Sequence, residues 1–125
     1  MNAVVNALNL IKLAAISNND DCTVRLNERV KYFLNALVAL NLIEYTSIQD
    51  NLGLVRLKYK DGAPIIKDIK YLGGRGSITL PWGGLKKILY SRRAVYLVKT
   101  GEGIVSINTA VAKNQGGLVL FRITI

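Results

Sequence analysis

The chain has 125 residues, half of them apolar, with 17 Lys and Arg against 8 Asp and Glu, one Cys and no His. This is enough for one domain or two small lobes with a real core, and it argues against disorder. Without histidine there is no imidazole acid/base chemistry, and a lone cysteine excludes disulfide frameworks and Cys-cluster zinc sites, so a formal net charge of +9 points to a polyanionic partner.

Val4, Val5, Leu8, Ile11, Lys12 and Ala15 recur at helical spacing, with Asn2, Asn6 and Asn9 on the other face, predicting a helix over about Asn2–Ile16. Residues 17–21 are a turn cluster, and Cys22–Leu26 is a short extended run. Asn27 is placed to cap a second helix, in which Val30, Phe33, Leu34, Leu37 and Val38 keep the helical period and Asn41 marks the stop. Leu42–Ser47 then turns extended. Beyond Asn51 the period becomes two: Val55, Leu57 and Tyr59 alternate with Arg56, Lys58 and Lys60, a strand with one apolar and one cationic face. Asp61-Gly62-Ala63-Pro64 is a hairpin signal, with Ile65–Leu72 expected as the antiparallel partner.

Glycines 73, 74 and 76 bend the chain. Ser77–Leu80 reads as a short strand, and Pro81 opens a short helix with Leu85, Ile88 and Leu89 inward and Lys86 and Lys87 outward. Arg93–Val98, Ile104–Ile107 and Leu118–Ile125 read as strands, with Asn108 capping a brief helix to Lys113. The expected fold class is α+β: an N-terminal lobe of two helices on a three-stranded sheet (residues 1–72) and a C-terminal lobe of mostly antiparallel β with short helices (residues 73–125).

The charge divides along the same line. Up to Leu54 there are 4 bases against 5 acids; from Val55 onward there are 13 against Asp61, Asp68 and Glu102. The second half is therefore expected to face the polyanion. No membrane element is expected, because the longest near-apolar stretch, Tyr32–Ile43, is far short of the ~20 residues a bilayer needs. The N-terminus shows neither a cleavage site nor an Arg-rich transit pattern, so the chain is expected to act where it is made or after processing.

Catalysis finds little support. The glycine clusters lack the context of a dinucleotide fingerprint or phosphate loop, the carboxylates (Asp20-Asp21 in a turn, Asp61 in a hairpin, Glu102 in a glycine loop) suggest no converging pair, and Cys22 has no histidine to activate it. The most suggestive segment is Lys99-Thr100-Gly101-Glu102-Gly103, which joins two strands and offers a cation, a hydroxyl and backbone amides, as a binder of phosphate, sugar and base edges would. A plain β-hairpin reads the same way. Trp82 and Tyr90 are able to stack on bases, yet aromatic residues flanking a short apolar helix are more often core.

Several collinear strings carry a resemblance. Leu57-Lys58-Tyr59-Lys60-Asp61-Gly62-Ala63-Pro64-Ile65-Ile66 resembles a Leu-Lys-Tyr-…-Gly-…-Pro-Val-Ile hairpin. Gly103-Ile104-Val105-Ser106, followed by a short helix and Gly116-Gly117, resembles a Gly-Val-Met-Thr to Gly-Gly ending. Phe33, Leu34, Ala36, Leu37, Leu42 and Ile43 fall at matching apolar positions. The family that these features resemble, over essentially the whole chain, is small-ribosomal-subunit protein eight (S-eight) of bacterial-type ribosomes.

The resemblance implies a two-lobed structural protein of translation, not an enzyme, that binds the central domain of small-subunit rRNA, supports its folding and touches neighbouring ribosomal proteins. It would work as a monomer within the ribosome, without a cofactor or metal. The family's Ser-Thr-Ser-Lys-Gly loop matches Lys99, Thr100, Gly101, Glu102 and Gly103, keeping Thr100 and Gly103. Departures include Gly73-Gly74-Arg75-Gly76 for the turn between lobes, Thr79 for an aromatic and Leu118 for an acid. The RNA-binding residues so expected are Lys99, Thr100, Gly101, Gly103, Gly116 and Gly117, with Arg75, Arg92 and Arg93 on phosphates and Lys12, Arg25 and Arg29 from the first lobe. Abundant Asn, Ile and Leu suggest a mitochondrial ribosome, with a bacterial or plastid one as the alternative. A rival reading is a basic protein-interaction module that binds no specific RNA and adds its Leu118–Ile125 strand to a partner's sheet.

Overall fold

The computed structural model describes residues 2–73, 79–91 and 95–125. The chain divides into two compact units, Met1–Asp68 with Ile125, and Ile69–Thr124.

In the first unit, α1 (Asn2–Ile16) buries Val4, Ala7, Leu8, Ile11 and Ala14. The stripe is rotated slightly from the expected one, leaving Val5, Lys12 and Ala15 half-buried at its margin. β1 (Asp21–Arg25) follows, then α2 (Glu28–Ala39), whose N-terminus is closed as expected by the Asn27 side chain accepting from the Val30 amide at 2.8 Å. β2 (Ile43–Gln49) and β3 (Leu52–Leu57) complete an antiparallel sheet in the order β1-β3-β2. Phe33, Leu34, Leu37, Ile43 and Val55 are fully buried, each worth roughly 1.5–3 kcal/mol on transfer from water.

Both helices stop in the same way. Asn18 and Asn41 adopt positive φ (56° and 60°). The amides that follow reach back: Asn18 to Ala15 O and Asn19 to Ala14 O, Asn41 to Val38 O and Leu42 to Leu37 O. This is the Schellman closure, in which asparagine substitutes for the usual glycine because its short amide tolerates the left-handed conformation.

Two strand expectations are corrected in this unit. The three-stranded sheet does not include Ile65–Leu72. After β3 the chain makes only a two-residue ladder, β4 (Tyr59–Lys60) with β5 (Ala63–Pro64), around Asp61 and Gly62 at φ 55° and 81°. Two consecutive positive φ values twist the turn to match its strands, and one further bond, from the Ile65 amide to Lys58 O at 2.9 Å, closes the hairpin beyond Pro64. The next strand, β6 (Asp68–Tyr71), pairs with the second sheet instead. The cationic face expected there is also partly offset by acids: register sets Arg56 between Asp21 of β1 and Glu44 of β2, and Lys58 lies 3.9 Å from Glu44.

The second unit holds β7 (Thr79–Leu80), α3 (Trp82–Ser91), β8 (Val95–Thr100), β9 (Gly103–Ser106), α4 (Ile107–Ala112) and β10 (Gly117–Thr124). Its sheet runs β6-β10-β8-β9, with β7 also on β10. Leu85, Val98, Ile107, Ala110 and Val119 form the core under α3 and α4, with Ile88 and Leu89 packed at its margin. A bulge between Val119 and Phe121 sets their partners as the adjacent residues Val98 and Leu97, so Phe121 turns to the opposite face, where its ring lies 5.4 Å from that of Tyr71.

α4 is capped by Ser106, whose hydroxyl accepts from the Thr109 amide at 3.2 Å, not by Asn108. The strand ends one residue earlier than expected, at Ser106, and serine is as good a cap as asparagine. The α4 C-terminus repeats the asparagine closure, with Asn114 at φ 56°, bonded to Val111 O, and Gln115 N–H on Ala110 O.

Candidate nucleic-acid interface

Nine Lys and Arg against one acid, Glu102, fall in residues 69–124, whereas the remainder holds eight against seven. The fold therefore concentrates nearly all the net charge in the second unit. Its single carboxylate is engaged: Lys113 reaches from the end of α4 to Glu102 at 3.0 Å, and this hydrogen bond and charge hold the carboxyl below its ordinary range. Pairing the acid limits its repulsion of a phosphate, at the expense of occupying Lys113.

Glu102 lies in the turn from β8 to β9. Thr100 is almost fully buried at the start of that turn. Its hydroxyl accepts from the Glu102 amide at 3.1 Å and donates to Gly103 O at 3.3 Å, bracing the turn from within. Gly103 sits at φ 112°, a conformation that a residue with a Cβ resists. Thr100 and Gly103 thus shape the turn, while Lys99 and Gly101 are exposed on it.

Across the sheet, Leu118 of β10 pairs with Lys99, and Gly117 with Leu80 of β7. Both terminal glycines are sites of close backbone approach. A Cβ on Gly116 would stand 2.7 Å from Leu80 O, and one on Gly117 would stand 2.6 Å from Lys99 O. Packing therefore explains them without a ligand.

These segments enclose a shallow hollow of about 650 Å³, lined by residues 79–81, 99–101 and 116–118. Of the expected binding residues, the hollow gathers Lys99, Thr100, Gly101, Gly116 and Gly117, and Gly103 closes the same turn. Lys12, Arg25 and Arg29 belong to the first unit. Lys12 is ion-paired with Asp68 at 3.1 Å, while Arg25 and Arg29 are exposed. Arg75, Arg92 and Arg93 lie outside the described residues, as does the start of each strand expected at Ser77 and Arg93. The sequence reading missed the Lys113–Glu102 pair. The two residues are eleven apart, and only the fold of α4 back along β9 brings them together.

The strand proposed for pairing with a partner is corrected. β10 has β8 on one side and β6 and β7 on the other, so it offers no open edge over the length of these pairings. Among the described residues there is no group of three or more His, Cys, Asp or Glu suited to a metal, and no helix long and apolar enough to cross a membrane.

No family model matches the chain. Among known proteins, it is 37% identical over 71 residues to small ribosomal subunit protein uS8 of Granulibacter bethesdensis, covering 55% of this chain and 52% of that protein. It is 32% identical over 69 residues to uS8 of Hyphomonas neptunium, covering 55% and 53%. The chain thus spans about half the length of the curated relatives it matches. The similarity, in line with the sequence motifs, is thus to uS8 proteins of the small ribosomal subunit, over about half of this chain and of each relative.

Proposed function

We propose that the protein is a structural constituent of a small ribosomal subunit that binds small-subunit rRNA through residues 73–125 and supports assembly, without catalysis. The observation that carries this reading is the charge partition, nine bases to one ion-paired acid in the second unit, beside a hollow that gathers Lys99, Gly101 and the 116–118 backbone. Phosphate contacts from the basic side chains supply affinity, and the braced β8–β9 turn supplies register. Arg75, Arg92 and Arg93 add charge from the same segment, and Arg25 and Arg29 add exposed charge from the first unit. The target is the central domain of the rRNA, the setting a mitochondrial ribosome, and the protein acts there as a monomer beside neighbouring ribosomal proteins.

The test is affinity for a central-domain rRNA helix against a shuffled hairpin across a salt series. Neutralising about six phosphates gives a log–log slope of roughly −4 to −5. Preference for the cognate helix with that slope is the expected result. A slope near zero would remove RNA as the partner, and a steep slope without preference would remove specific recognition by the chain alone.

A further inference from the structure

Trp82 is the sole tryptophan of the chain and keeps 37% of its surface exposed at the start of α3. It is not the core residue that its apolar neighbours suggest. Its indole N–H donates to Val111 O at 3.0 Å, so the ring is tethered to α4 by its edge. Lys86, one turn further along α3, holds its ammonium 5.0 Å from the ring centroid. The indole is therefore reachable from solvent, and the group that rests on its face now is a mobile surface cation. The next residue is Gly83, where a Cβ would meet nothing within 4 Å. Glycine is disfavoured in a helix, and packing gives no reason for this one, unlike Gly84, which lies against Leu80. Pro81, immediately before Trp82, lines the hollow described above.

We propose that Trp82 and Lys86 form a stacking platform for an unpaired RNA base beside that hollow. The inference rests on the RNA-binding reading and extends it to single-stranded or bulged nucleotides. A base presents a flat π face that can take the place of the ammonium over the indole, and Lys86 then moves to a flanking phosphate. Bases within a duplex are stacked on one another and offer no such face, so the platform selects unpaired nucleotides without reading their identity.

The test uses the full chain and two RNAs of equal length, a fully paired hairpin and the same hairpin carrying bulged adenines. Binding is followed by anisotropy of labelled RNA and, separately, by fluorescence of the single tryptophan. Both RNAs are expected to bind at low salt, with strong quenching by the bulged RNA alone. Trp82→Ala should weaken the bulged RNA about fivefold or more and the paired one little, in line with stacking measured by alanine substitution. Trp82→Phe, which keeps a ring but loses the bond to Val111, should retain most of the preference. Binding of both RNAs with unchanged fluorescence, or equal weakening of both by Trp82→Ala, overturns the platform and leaves RNA binding standing. Absence of binding to either RNA overturns the RNA-binding reading, and the platform with it.

Discussion

Gly117→Ala isolates what the terminal glycine pair does. The new Cβ would stand 2.6 Å from Lys99 O and 3.2 Å from Lys99 C, both backbone atoms held in the β8–β10 ladder, and 3.3 Å from Thr100 Cγ2. Gly117 is not among the positive-φ residues, so the cost is steric and not conformational. Replacing glycine ordinarily gains about 0.4–1 kcal/mol by restricting the unfolded chain. Forcing strands apart to admit a methyl group costs about 1–3 kcal/mol, leaving a net loss of about 1–2 kcal/mol. Gly101→Ala is the matched control, because that position has ordinary φ and open space around a Cβ, so it should be neutral or gain up to about 1 kcal/mol. Urea unfolding followed by the single tryptophan, which lies in the second unit, reads both variants. With a slope of about 1–2 kcal/mol per molar, their midpoints should differ by about 0.5–3 M. Coincident midpoints, or a Gly117 variant more stable than the Gly101 variant, would refute the close-approach argument and return the glycine pair to a role in ligand binding.

Asn41→Ala should lower stability by about 1 kcal/mol and Asn41→Gly should not, since only the alanine resists the left-handed conformation that ends α2; chemical denaturation distinguishes them. Glu102→Gln removes the second unit's one negative charge and releases Lys113, so RNA affinity should rise and the salt slope steepen by about 0.7–0.9 if Lys113 then meets a phosphate. The Glu102 pKa is lowered in the fold, so its pairing favours folding above the carboxyl's unfolded pKa and that contribution is lost as pH falls through the folded one; acid titration of Glu102→Gln should lack this component. Burial, with Asp21 adjacent, pushes the Cys22 thiol up to about 11 from its usual 9.0. A raised pKa favours folding below the unfolded value, and that contribution is lost as pH rises from about 9 through about 11. Thiolate absorbance should place the transition there, and a midpoint near 9 would mean that the thiol is solvated.

Local signals translated well where the structure they govern is local. Asn27 caps α2 and Asn41 ends it, Asp61-Gly62 turns a hairpin, and Leu85, Ile88 and Leu89 face inward from α3. Each depends on residues within one turn of helix or one tight turn. The Ser106 cap was missed because Ser106 and Asn108 are both competent caps, and only the end of β9 chooses between them. The site was legible in part. Lys99–Gly103 stands out by composition, but the sequence offers no sign that the Thr100 hydroxyl is spent inside the turn.

The uneven charge, the change from helical to alternating period near Asn51, and the absence of histidine belong to the sequence alone, because composition and period do not depend on what lies across the fold. Pairing does. Whether Asp68–Tyr71 joins the first sheet or the second, whether Arg56 presents a cation or lies between two acids, whether Glu102 repels phosphate or is held by Lys113, and why Gly116 and Gly117 have no side chain were decided by tertiary contacts. Strand register and ion pairing join residues far apart in the chain. Their energies depend on separations of a few ångströms that no local pattern encodes.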